Sequence, residues 1–153
     1  MEFTRLSRLE LPEDLLIGAL LRLPAQAIHR RIIAGLNRAG FPDLRLPHIA
    51  VLQYPGPDGY RPSELAERTG MSKQAMNQLL QSLERFGYIR RSDADEGGRA
   101  RIVHFTERGH AVWAKMIEIL AEIETEWRAR LGAKRFNELK DLLCEVWVSD
   151  LVH

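Results

Sequence analysis

Gln74 lies three and four residues before Asn77 and Gln78, and Gln81 lies four and three after them, so on a helix the four share one face. Lys73 is the only charged residue beside them. Each amide carries a donor and an acceptor and can bond the edge of adenine with both, while lysine can bond guanine. A merely solvated helix face usually carries Glu–Lys pairs at this spacing instead. The plainer alternative is a neutral polar surface. The opposite face of the same segment is apolar, with Met76, Leu79, Leu80 and Leu83.

The surrounding elements decide between these readings. Pro62 suits the first position of a helix in which Leu65 and Ala66 point inward. Gly70 fits a position needing positive φ, and Ser72 is a natural cap for the next helix. Helix, glycine-bearing turn and second helix form a helix-turn-helix, whose second helix enters the DNA major groove. Tyr88–Arg91 and Arg101–Phe105 then read as paired strands around a polar, glycine-bearing tip from Asp93 to Gly98. Arg99 and Arg101 lie where a hairpin arginine reaches a narrow minor groove, the alternative being an ordinary solvated hairpin. Between Arg68 and Arg91 the cations are Arg68, Lys73, Arg85, Arg90 and Arg91, and the only acid is Glu84.

Helices flank this block. Leu11-Pro12-Glu13-Asp14 opens one whose apolar positions run from Leu16 to Leu36 and which Gly40 ends. Pro24 lies inside it and is expected to kink it. A short helix follows Leu46-Pro47, then a turn at Pro55–Gly59. Thr106-Glu107 opens a long helix with a stripe from Val112 through Trp113, Met116 and Ile123 to Leu131, and Gly132 breaks it. A last helix carries Phe136, Leu139, Leu143, Val146 and Trp147. The fold class is therefore mainly α with a small β-hairpin wing.

Several function classes fall away. The chain has 153 residues, 45% of them hydrophobic, and a net charge of +1, so it can bury a core and bulk charge names no partner. No apolar run approaches the roughly 20 residues that cross a bilayer, so no membrane partner is expected. Arg5, Arg8 and the run Leu15–Leu21 imitate a secretory leader, but Glu10, Glu13, Asp14 and Arg22 interrupt it, and a cytoplasmic location is expected. The single cysteine, Cys144, sits in an apolar helical pattern with Asp141 and Glu145 nearby, which reads as a small buried hydrophobe and not a reactive thiol. His29, His48, His104, His110 and His153 show no metal-ligand spacing. Glu122, Glu124 and Glu126 diverge around a helix, and no nucleophile elbow or phosphate loop occurs. Neither catalysis nor a metal nor a cofactor is expected.

From Pro62 the sequence PSELAERTGMSKQAMNQLLQSLERFGYIRR, followed by VHFTERG from Val103, resembles the MarR family of winged helix-turn-helix regulators. The similarity extends to LRLPHIAVLQ and to both C-terminal helices. Its specific part is the order: helical arm, winged module, then Thr-x-x-Gly (Thr106–Gly109) starting a long helix. The resemblance implies a winged helix-turn-helix with a helical dimerisation arm, divided as 1–45 and 110–153 for the arm and 46–109 for the DNA-binding lobe. It implies a homodimer on a pseudo-palindromic operator in double-stranded DNA, usually as a repressor, and in many members a small aromatic or phenolic effector. Two departures stand out. The family wing usually carries Asp-x-Arg, and aligned back from Phe105-Thr106 the arginine falls on Arg99 but the acid on Gly97, leaving Asp93, Asp95 or Glu96 to brace it. The other is Pro24, in a helix the family leaves unbroken.

The expected division of labour assigns base contacts to Lys73, Gln74, Asn77 and Gln78. Ser63, Ser72 and Arg91 take phosphates, and Arg99 with Arg101 takes the minor groove. Ile28, Leu52, Trp113 and Met116 are candidate effector-pocket residues, their plainer reading being core. The rival function is a winged-helix protein–protein adaptor without DNA binding.

Overall fold

The structure is a computed structural model that describes residues 16–92 and 101–149. Helix α1 (Ile17–Arg38) is followed by α2 (Leu46–Leu52), α3 (Pro62–Thr69), α4 (Lys73–Arg85), β1 (Ile89–Arg91), β2 (Val103–Phe105), α5 (Glu107–Leu131) and α6 (Ala133–Val148). Helix α1 runs through Pro24 without ending there. It begins at Ile17, with Leu16 extended ahead of it, and the expected opening at Leu11–Asp14, like the hairpin tip at 93–100, lies outside the described residues.

The local signals sit where their chemistry requires. Gly70 ends α3 at φ 66°, in the left-handed region. The Ser72 hydroxyl oxygen accepts from the Ala75 amide at 3.1 Å and caps α4. Strands β1 and β2 pair antiparallel with Ile89 opposite Phe105 and Arg91 opposite Val103. Tyr60 adds a third edge, exchanging backbone hydrogen bonds of 3.0 and 2.7 Å with Val103. Leu44, Val51, Leu52, Leu65, Met76, Leu80, Leu83, Tyr88, Ile89, Val103 and Val112 fill the lobe's core.

Helix α5 joins the lobe to the arm, and its first turn is fastened twice. Thr106 Oγ1 accepts from the Gly109 amide at 3.2 Å and donates to the Gly87 carbonyl at 2.6 Å. The Thr106 amide donates to the Tyr88 carbonyl at 3.1 Å. Gly109 packs so closely on that carbonyl that a Cβ would overlap its oxygen. The Thr-x-x-Gly pattern is thus a cap and a close approach in one.

In the arm, α1 packs along α5, with Gly35 leaving no room for a Cβ against Ile119. Arg31 pairs with Glu126 across them, a contact open to water and of small energetic weight. Helix α6 buries only Phe136 among its own residues, while Leu142, Leu143, Val146 and Val148 are exposed. Cys144 is exposed as well, which corrects the expectation of a buried residue. The apolar pattern around it is real, but its stripe is left exposed among the described residues.

Because relief of the Gly109 overlap requires backbone movement, Gly109→Ala is expected to destabilise the fold by about 1–3 kcal/mol. Urea unfolding measures it, and a loss below about 0.5 kcal/mol would show that the junction yields easily.

Candidate nucleic-acid interface

Helix α4 is presented like a blade with one edge sunk in the core. Met76, Leu80 and Leu83 are buried, and Leu79 packs against the same cluster. Lys73, Gln74, Asn77, Gln78 and Gln81 are all exposed on the other side. The structure therefore brings the expected base-reading residues onto one open face. No acid occupies the first turn, where the helix dipole would favour one, and Lys73 stands there instead. That is unfavourable for an isolated helix and suits an incoming polyanion.

Ser63, at the start of α3, and Ser72 are both exposed. Ser72 uses an oxygen lone pair on its own helix, which leaves its O–H free to donate. Arg91 is placed otherwise than expected for a phosphate contact. Its side chain is only 15% exposed and is turned onto Glu84, which accepts from Nε at 3.0 Å and Nη2 at 2.8 Å. Arg90, next to it, is exposed. Arg101 is exposed too, and its charge is felt at Glu84. Arg99 and Gly97, with Asp93, Asp95 and Glu96, lie outside the described residues.

A second fastening sets α4 from behind. His48 on α2 is buried, and its Nδ1 accepts from the Arg45 amide at 2.9 Å. The other nitrogen, Nε2, must then carry the proton, and it lies 3.0 Å from Ser82 Oγ on α4. Ser82 in turn donates to the Leu79 carbonyl at 2.7 Å. The chain of donors closes only with a neutral imidazole. Burial, and then the nearby Arg45 charge, lower the His48 pKa below the ordinary histidine range, against a weaker opposite pull from Asp43.

A third fastening is aromatic. Tyr88, fully buried, receives a hydrogen bond from Arg108 Nη2 at 3.1 Å, and Arg108 also faces Asp43 at 3.6 Å. Its guanidinium lies over the Tyr88 ring at 4.7 Å and the Phe41 ring at 5.7 Å. Arg108 thereby ties the α1–α2 loop, the end of α4 and the start of α5 together. Sequence reasoning passed over all three fastenings. Only Glu84 left a signal, as the lone acid in a basic stretch.

Of the candidate effector residues, Leu52 and Met116 are buried in the core and Ile28 and Trp113 pack against it. The two surface clefts described lie elsewhere: one beside Tyr60, Glu64 and Arg68, the other between α1 and α5 beside Arg38, Lys115 and Glu122. Among the described residues no cluster of His, Cys, Asp or Glu is arranged to hold a metal ion, and no helix is long and apolar enough to cross a membrane.

Residues 47–100, which hold α2 to α4, β1 and the following link, match the model of the MarR family. The HTH-type transcriptional repressor Rv2887 of Mycobacterium tuberculosis is 28% identical over 87% of this chain and 94% of its own length. The crystal structure of that MarR family protein with salicylic acid superposes with a TM-score of 0.65 over 89% of this chain and 99% of its own, at 28% identity. Over residues 47–100 the chain is thus similar to the MarR family. The DNA complex of Rv2887 gives the same TM-score of 0.65 at 25% identity, over 87% of this chain and 98% of that one. Escherichia coli MarR in its reduced form, at 21% identity, shares the fold with a TM-score of 0.75 over 88% of this chain and 98% of its own. The segment similar to that family includes α3, α4 and β1, the elements just described.

The His48 geometry carries a pH dependence with a definite sign. The unfolded chain takes up a proton at the ordinary histidine pKa, about 6.5, which the folded chain refuses until lower pH. Stability is then level above that pH and falls as pH drops below it. His48→Gln, which keeps a donor and an acceptor, is expected to flatten the decline between about pH 6.5 and 5, read as the urea midpoint against pH. Parallel declines in both proteins would place the sensitivity at other groups.

Proposed function

We propose that this chain is a transcriptional repressor of MarR type. It binds a pseudo-palindromic operator in double-stranded DNA as a homodimer and is released by a small aromatic ligand. It acts in the cytoplasm as a regulator and not as an enzyme. The observation that carries the reading is the exposed face of α4, where four amides and one lysine stand over a fully buried opposite edge. In this reading Lys73, Gln74, Asn77 and Gln78 read bases in the major groove, and Ser63 and Ser72 take phosphates. Arg99 and Arg101 serve the minor groove. Residues 46–109 form the lobe, and 1–45 with 110–153 form the arm.

The homodimer is supported by the exposed apolar positions at the two ends of the chain. Leu16, Ile17, Leu20, Leu21 and Leu23 on or beside α1 and Leu142, Leu143 and Val146 on α6 are all more than a third exposed. Apolar area left in water costs about 25 cal/mol per Å², so such a stripe favours a second copy. The relative Rv2887 is described as a repressor, and its structures are described as complexes with DNA and with salicylic acid. The adaptor reading lacks support, because the open face of α4 carries none of the aromatic or apolar anchors that protein interfaces favour.

Selection from a random DNA pool is expected to return a site with two half-sites roughly 34 Å apart, occupied by two chains. On that site Gln78→Ala is expected to cost about 1–3 kcal/mol and to relax the preference at one base position. Equal loss on the selected site and on random DNA would remove Gln78 from base reading. The same binding assay repeated with salicylic acid tests the effector. Release at or below millimolar concentration is expected, and unchanged binding there would sink that part of the proposal.

A further inference from the structure

The carboxylate of Glu84 is shared in an unusual way. Oε2 takes both side-chain bonds from Arg91, from Nε at 3.0 Å and Nη2 at 2.8 Å. Oε1 takes the backbone amide of the same residue at 3.3 Å. One side chain on α4 thus fixes both the main chain and the side chain of the last residue of β1. Beyond it, the Ser92 amide donates to the Ile102 carbonyl at 2.9 Å, and Ser92 Oγ accepts from the Ile102 amide at 2.9 Å. The base of the wing is therefore closed strand to strand, and Glu84 is the side chain of the recognition helix that grips its end, beside the Tyr88 amide's bond to the Leu83 carbonyl.

We infer that Glu84 is a positioning residue for DNA binding: gripping Arg91 by side chain and backbone, it sets the angle at which the wing leaves the recognition helix. The inference rests on the DNA-binding reading above. It also supplies, at the root of the wing, an acid–arginine brace that the sequence lacks at Gly97, where the family pattern has its acid. Arg91 then belongs to the brace and not to the phosphate-contacting set. Its Nε and Nη2 are already engaged by Glu84, and 15% exposure leaves little of it for a second anion. Hydrogen bonding from Arg91 above all holds the Glu84 carboxyl below the usual carboxylate range, against the opposing effect of burial, and the charge of Arg101, two residues ahead of β2, adds to it. Glu84 is 38% exposed and still doubly engaged.

The test exploits a sign. Glu84 is a negative charge beside a polyanion, so if it were only a solvated acid, Glu84→Gln would strengthen DNA binding. As a brace, its loss weakens binding, by about fivefold or more, the equivalent of a lost partly exposed pair of charge-assisted bonds. Full-length protein and the selected site are used, with affinity measured by titration and groove occupancy by footprinting. Weaker binding with minor-groove protection lost at the outer flanks, and major-groove protection by α4 kept, is the expected result. Unchanged or tighter binding, or both protections lost together, overturns the inference. Arg91→Lys serves as the second variant should the first not fold. It keeps the charge but cannot reproduce the Nε and Nη2 grip, so a brace predicts the same flank-specific loss. A phosphate contact predicts wild-type affinity and an unchanged salt slope. Failure of the wild-type chain to bind any selected sequence would sink the DNA-binding reading itself. A wild-type chain that binds, with variants that bind as well, sinks only the brace.

Discussion

The start of α5 is the place where three parts of the molecule are made to agree. Gly109 presses on the Tyr88 carbonyl, Thr106 bonds Gly87 and its own helix, and Arg108 reaches over the Tyr88 ring to Asp43. The end of the recognition helix, the returning strand of the wing and the first turn of the arm therefore share one set of contacts. None can rotate alone without breaking a hydrogen bond or overlapping a backbone atom. Everything proposed here about DNA presumes that rigidity, because reading a base edge tolerates little misplacement of the helix that reads it.

Around that junction the recognition helix is held by polar contacts of different character. His48 and Ser82 grip its middle from the core side with neutral hydrogen bonds, which are strong only while the imidazole stays uncharged. Glu84 and Arg91 grip its last turn with charged ones, nearer to water. The apolar edge supplies most of the burial and the polar contacts supply direction. Apolar packing is non-directional, and it would allow the helix to slide or roll by amounts that matter for recognition.

Much of this was legible in the sequence wherever a feature obeys a local rule. Gly70 and Ser72 mark a turn and a cap because positive φ and an orphan amide each select a residue type. Met76, Leu80 and Leu83 mark a buried edge because the helical period is fixed. Thr106 and Gly109 announced a helix start. What stayed hidden was long-range pairing: Glu84 with Arg91, His48 with Ser82, and Arg108 with Tyr88 and Asp43 are contacts between elements, and no period or spacing encodes them. Arg91 reads differently for this reason, since a cation beside a reading helix looks available until its partner, Glu84, is seen. Cys144 went wrong in the opposite sense. Its apolar pattern is present, but a pattern states only that a surface wants cover and not which chain provides it.

The close crossing of Gly35 and Ile119 gives the arm a mechanical property. The tip of the Ile119 side chain fills the space above Gly35, so α1 and α5 lie close there and a shift of one helix bears on the other. Helix α5 has 25 residues, hence a length of about 37 Å. Tilted by about 5° around its far end, such a rod carries the junction at Thr106 through about 3 Å. That is close to the rise of one base pair along the duplex, about 3.4 Å. A small tilt at the far end of the arm is thus geared up, by length alone, to nearly a full step of register at the DNA.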